Sequence, residues 1–334
     1  MDSLVNIEFN IDADVIRDDT LAQDALDELA YDSNSRRSSL GADSVLDQDF
    51  SEDGPLDSSV TTLSSLETVL GIQYADDIFA INKAMESRYH MSRCMADQPQ
   101  VTENMRCTLV HWLIKVNNQL KFGPETVFVA VNLVDRFLAV TPLAQDCFQL
   151  LVVATLFIAG KMEESVVPGI SELVSICGGV YRHHHFRRME VLILSKLEFA
   201  LYGPTSWYFL DHLAMKAAQT GMMDRRVVSV SRYVMETCLS SYEVSQFLPS
   251  VQAAAALSVA LGIVPNPSTS RTIHSLLCEL YTSEERREAS VCSTLMSRYM
   301  APFLDSISPA TTHNHFNSGP IPPATPDGNK AATQ

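Results

Sequence analysis

From Met105 to Glu164 the chain reads MRCTLVHWLIKVNNQLKFGPETVFVAVNLVDRFLAVTPLAQDCFQLLVVATLFIAGKMEE, and this run decides the fold. Three helical patterns follow one another, broken at Phe122-Gly123-Pro124 and at Thr141-Pro142. In the first, Leu109, Trp112, Leu113 and Val116 recur at three- and four-residue spacing, which puts them on one helix face. Val127, Val131, Val134, Phe137 and Leu138 do the same in the second. The third, Cys147 to Ala159, is apolar nearly all round, the pattern of a helix enclosed by others. Charge returns only at its end, with Lys161, Glu163 and Glu164.

Three charges interrupt the apolar faces: Arg106 opens the first pattern, and Asp135 and Arg136 stand in the second. Charges are seldom buried unless they are paired. Arg106 with Asp135 is therefore the expected structural ion pair between neighbouring helices.

Either side of this run the same reading continues. Tyr74 to His90 is amphipathic, with Ile78, Ile81 and Met85 on one stripe expected to pack inward. Thr102 reads as an N-cap, followed by Glu103 where its charge suits the helix dipole. A short helix around Ile170 to Cys177 ends at Gly178-Gly179, and another spans Arg182 to Phe199. The latter carries His183-His184-His185, but consecutive side chains on a helix diverge and cannot all reach one ion. An exposed polar first turn is expected, and no metal site. Gly203-Pro204 closes this unit. Beyond it five more helical segments are expected: Ser206 to Ala218, Arg226 to Ser241, Val251 to Ile263, Ser270 to Leu280 and Glu284 to Phe303. The fold class is all-α: two tandem five-helix units, preceded by an N-terminal helix and flanked by tails. The boundaries fall at 1–70, 71–203, 204–305 and 306–334.

Of 334 residues, the first sixty hold sixteen Asp and Glu against three Arg, a balance of −13 out of −16 for the chain. Such acidic, Asp- and Ser-rich sequence is expected to remain a solvated tail, as is the Pro/Asn-rich end. The remainder is nearly neutral, without the basic footprint of a nucleic-acid binder. Apolar runs fall short of the ~20 residues needed to span a bilayer, so no membrane partner is expected. Seven cysteines without C-x-x-C spacing suit reduced thiols rather than a disulfide framework. The expected location is nucleus and cytoplasm.

An enzyme is not indicated. G-x-x-x-x-G-K-[ST], H-E-x-x-H and G-x-S-x-G are all absent. Glu163 and Glu164, adjacent on a helix, diverge by about 100° and do not flank one substrate. No cofactor-binding pattern is present.

The motifs MRxxLxxWL, DRFL and K-x-E-E, with Glu190 in RRMEVLILSKLEF, resemble a cyclin box, the helical module that binds and activates cyclin-dependent kinases. Gln98 to Thr102 and Thr141 to Leu151 are most similar to the O-type branch, on a layout shared with A- and B-type cyclins. The resemblance implies two tandem cyclin folds and a cyclin-dependent kinase as partner, bound through Lys161, Glu163, Glu164 and Glu190. It also implies a substrate-docking patch at Met105, Leu109, Trp112, Phe148 and Gln149. Two positions depart from the family pattern there: Thr108 replaces an apolar residue and Lys115 an acidic one. A weakened patch for protein substrates follows. Differentiation-linked roles, notably centriole amplification in multiciliated cells, are implied by the O-type resemblance alone. Two alternatives stay open: a non-activating cyclin-fold scaffold, and an A/B-type mitotic cyclin.

Overall fold

The computed structural model describes residues 59–304, with side chains from 74 to 302. The acidic segment and the tail from Ser308 lie outside the described residues. Within them the protein is all-helical, and the chain divides between Thr205 and Ser206 into two compact units.

The first unit contains α1 (Ser59–Tyr89), α2 (Glu103–Gln119), α3 (Pro124–Val140), α4 (Phe148–Glu163), α5 (Ile170–Ile176) and α6 (His183–Lys196). A 3-10 turn, Gln145–Cys147, leads into α4. Each residue from Leu150 to Gly160 is buried, because α4 is enclosed by α2, α3 and α6. With its leading turn, this helix is long and apolar enough by composition to cross a membrane. Its burial identifies it instead as the central core helix. Gly160 admits the Phe122 ring, since a Cβ there would lie 3.0 Å from a ring carbon.

Local signals explain the helix ends. Thr102 accepts a hydrogen bond from the Met105 N–H and starts α2. Pro124 occupies the first turn of α3, where its missing N–H costs nothing. Gly178 and Gly179, at φ +67° and +76°, turn the chain after α5 into the left-handed region that glycine favours.

The inward face of α1 differs from the expected one. Phe79, Asn82 and Glu86 are buried, whereas Ile78 and Ile81 are exposed and Met85 is half-buried. Both sets share helical spacing, so periodicity could not choose between them. The choice follows the packing: Tyr89, at the end of α1, meets Gly203 and stacks under the Arg136 guanidinium, whose centre lies 5.0 Å from its ring. A side chain at 203 would collide with the Tyr89 Cβ, 2.9 Å away.

The second unit contains α7 (Ser206–Gln219), α8 (Arg225–Cys238), a single turn α9 (Tyr242–Ser245), α10 (Pro249–Ile263), α11 (Pro267–Leu280) and α12 (Ser283–Leu304). Its central helix is α10, packed against α7, α8 and α12. Ala253 to Ala256 are fully buried, so those neighbours approach it with small side chains between. All seven cysteines are free thiols. Burial pushes those of Cys177, Cys238 and Cys292 up to about 12.

Candidate functional site

Where α4 leaves the core, its last turn lies beside α6. Lys161 donates a hydrogen bond to Glu190 Oε1 across this junction. The side chains are 44% and 20% exposed, so both remain accessible while paired. Lys161 also sits over the Phe157 ring, 4.0 Å from its centroid, a contact worth about 0.5–1 kcal/mol at such a site. Glu190 projects outward because Phe186, Met189 and Ile193 carry the buried stripe of α6.

Exposed apolar side chains flank the pair in sequence. Met162 follows Lys161, Val191 follows Glu190, and Phe199 ends the segment at 70% exposure and φ 57°. The sequence reading named none of these three. The available sign was position: Val191 falls off the inward stripe of its own helix.

Glu163 and Glu164 face different surroundings. Glu163 is exposed. Burial first, then the carboxylates of Glu125 and Glu163, raise the Tyr202 hydroxyl above its ordinary value. Glu164 instead turns back to the start of α3. Its Oε1 accepts the Gly123 N–H at 2.6 Å and the Thr126 hydroxyl. Gly123 has no side chain to cap the helix, and the carboxylate supplied from 41 residues away meets the positive end of the α3 dipole. Glu164 thus has an intramolecular task that the sequence reading did not give it.

Arg106 is fully buried and Asp135 almost so. Arg106 Nε and Nη2 donate to Asp135 Oδ1 and Oδ2, each at 2.7 Å. The Cys94 thiol donates to Oδ1 at 3.5 Å, and burial with this carboxylate raises its pKa. The pair ties α2 to α3.

The expected docking patch is only partly a surface. Met105, Trp112 and Gln149 are half-buried and present some area, but Leu109 and Phe148 are 2% and 1% exposed and support it from beneath. Thr108 and Lys115 are exposed on the same face. The Thr108 hydroxyl donates back to the Asn104 carbonyl at 2.9 Å. His183 and His184 are exposed and His185 is half-buried, and no group of side chains suited to a metal ion occurs among the described residues.

The described residues form two all-helical units, each built on a buried central helix, and the first carries the accessible Lys161–Glu190 pair at its α4–α6 junction. A cyclin N-terminal domain matches residues 77–202 and a cyclin C-terminal domain residues 204–315. The chain belongs to the cyclin family. It is 35% identical to cyclin-O protein B of Xenopus laevis over 202 residues, 57% of this chain and 55% of that protein. Human cyclin-O matches at 34% identity, over 62% of this chain and 60% of that one. The G2/mitotic-specific cyclin-A of Patella vulgata is 36% identical, over 73% and 56%. The match thus spans a little over half the length of these relatives. Among solved structures, a viral cyclin from herpesvirus saimiri shares the fold with a TM-score of 0.56, at 14% identity, covering 69% of this chain and 99% of that one.

Proposed function

We propose that this protein is a regulatory subunit, not itself an enzyme, that binds and activates a cyclin-dependent Ser/Thr kinase. The observation that carries the reading is the Lys161–Glu190 pair, exposed at the α4–α6 junction beside Met162 and Val191. A rigid helical face of this kind suits a mobile kinase helix. Apolar contact supplies binding energy, and the two charged ends fix register through hydrogen bonds. Holding the αC glutamate of the kinase against its ATP-site lysine completes a pair that phosphoryl transfer requires. The exposed Tyr74, Ile78 and Ile81 of α1 add apolar surface available to a partner.

Similarity to cyclin-O favours a role in differentiation, centriole amplification in multiciliated cells included, over an A/B-type mitotic role. Nucleus and cytoplasm are the compartments where such a kinase would be met. Capture of the full chain from cells, followed by a histone-kinase assay on the recovered material, tests this reading. Phosphorylation above a mock capture is expected. A recovered kinase that stays inactive would favour the scaffold instead.

A further inference from the structure

The outer face of α2 is electrostatically one-sided. After Glu103 no acidic residue occurs up to Lys121, while Lys115 is exposed and His111 stands one turn before it. His111 Nδ1 lies 3.0 Å from the Cys107 carbonyl and 3.6 Å from its sulfur. The hydrogen bond to Cys107, foremost, raises the His111 pKa above its ordinary value, while burial and the charge of Lys115 oppose it. Between these groups Met105 and Trp112 offer half-buried apolar area. Asp146 is the acid on the neighbouring segment, and its carbonyl is occupied by the Tyr181 hydroxyl. This is a shallow apolar strip with Lys115 and His111 on its rim, suited to an acidic segment with apolar anchors.

The chain itself supplies one. Leu21 to Leu29 reads LAQDALDEL, with Leu21, Leu26 and Leu29 interleaved among Asp24, Asp27 and Glu28, and no basic residue. Twenty-nine residues separate Leu29 from Ser59, where α1 starts. A chain of that length spans up to ~100 Å, more than the width of a unit this size. Tethering also raises the local concentration to the order of mM, so even a weak contact is populated. We infer that residues 21–29 of this chain dock in cis across the Met105–Trp112 face of α2, their carboxylates meeting Lys115 and His111. The segment then occupies the strip against outside peptides. The inference is independent of the kinase contact, which uses α4 and α6.

Photo-crosslinking of the full chain tests it, with p-benzoylphenylalanine at the exposed position 108. The expected crosslinks fall within residues 21–29 of the same molecule. They should weaken at least threefold in Lys115→Glu and in Asp24→Asn/Asp27→Asn/Glu28→Gln, and persist in Lys115→Arg. All substitutions are at exposed or tail positions, and circular dichroism checks the fold. Crosslinks to another tail segment, to a second copy, to neither, or unaffected by Lys115→Glu would overturn the inference.

Discussion

Arg106 grips both carboxylate oxygens of Asp135 at 2.7 Å, and the arginine side chain is entirely removed from solvent. A two-point contact of this kind is among the stronger charge-assisted hydrogen bonds. Its energetic weight lies in what happens when one half is lost: the arginine stays buried but loses both bonds of this two-point contact. Asp135→Ala is therefore expected to cost the first unit about 3–5 kcal/mol. Chemical denaturation followed through Trp112 would show a lower midpoint. A change below about 0.5 kcal/mol, the usual range for surface positions, would mean the guanidinium finds other acceptors.

Glu164 and Glu163, adjacent in sequence, should separate cleanly by stability. Glu164→Ala removes the acceptor of the Gly123 N–H and the Thr126 hydroxyl at the start of α3. A loss of about 1–2 kcal/mol is expected, comparable to loss of a strong helix cap. Glu163→Ala should stay within about 0.5 kcal/mol of the parent. Melting temperatures of the two variants decide this, and equal values would contradict the assignment.

The second unit carries an acid-sensitive contact. Asp224 caps α8 through the Arg226 N–H and also accepts hydrogen bonds from the Arg226 and Asn266 side chains. Its hydrogen bonds to Arg226, foremost, hold its carboxyl down at about 2, against 3.8 ordinarily. A depressed pKa in the folded state contributes stability that is present above the unfolded pKa and lost as pH falls through the folded one. The second unit should therefore weaken between pH 4 and 2. Denaturation midpoints across that range should fall less steeply in Asp224→Asn. Parallel slopes would show that this carboxylate does not set the acid response.

Peptides with a basic-x-leucine motif should bind the α2 face weakly. Lys115 repels the base by about 1 kcal/mol after screening, and Thr108 withholds apolar area. Lys115→Glu with Thr108→Ile should tighten binding about fivefold or more in a fluorescence-anisotropy titration. Equal affinities for the two proteins would show that these positions do not govern docking.

Much of the fold was legible because its helices carry their own punctuation. Pro124, Gly178-Gly179, Gly203-Pro204 and Pro267 mark ends that α3, α5, α7 and α11 respect to within a few residues. Helix α4 was readable from its apolar run alone. The orientation of α1 was not, because Ile78 and Phe79 both belong to plausible stripes and only Tyr89 packing on Gly203 and Arg136 selects one. The turn α9 was too short to leave a period. In the candidate site, Lys161 and Glu190 were named through the resemblance of K-x-E-E and RRMEVLILSKLEF to a cyclin box, not through spacing or charge. The inward turn of Glu164 depends on a loop-to-loop approach 41 residues apart, which no local pattern encodes. Burial of Leu109 and Phe148 is likewise a matter of how α4 sits under α2.

The central claim is that the Lys161–Glu190 junction holds a kinase. Replacing both residues by alanine removes the pair without stranding either charge, so the fold should be spared. The decisive measurement is kinase recovery when the parent chain and Lys161→Ala/Glu190→Ala are purified from the same cells. Loss of at least nine-tenths of the kinase is expected, with helical circular dichroism and melting temperature unchanged. Equal recovery from the double variant would contradict the account.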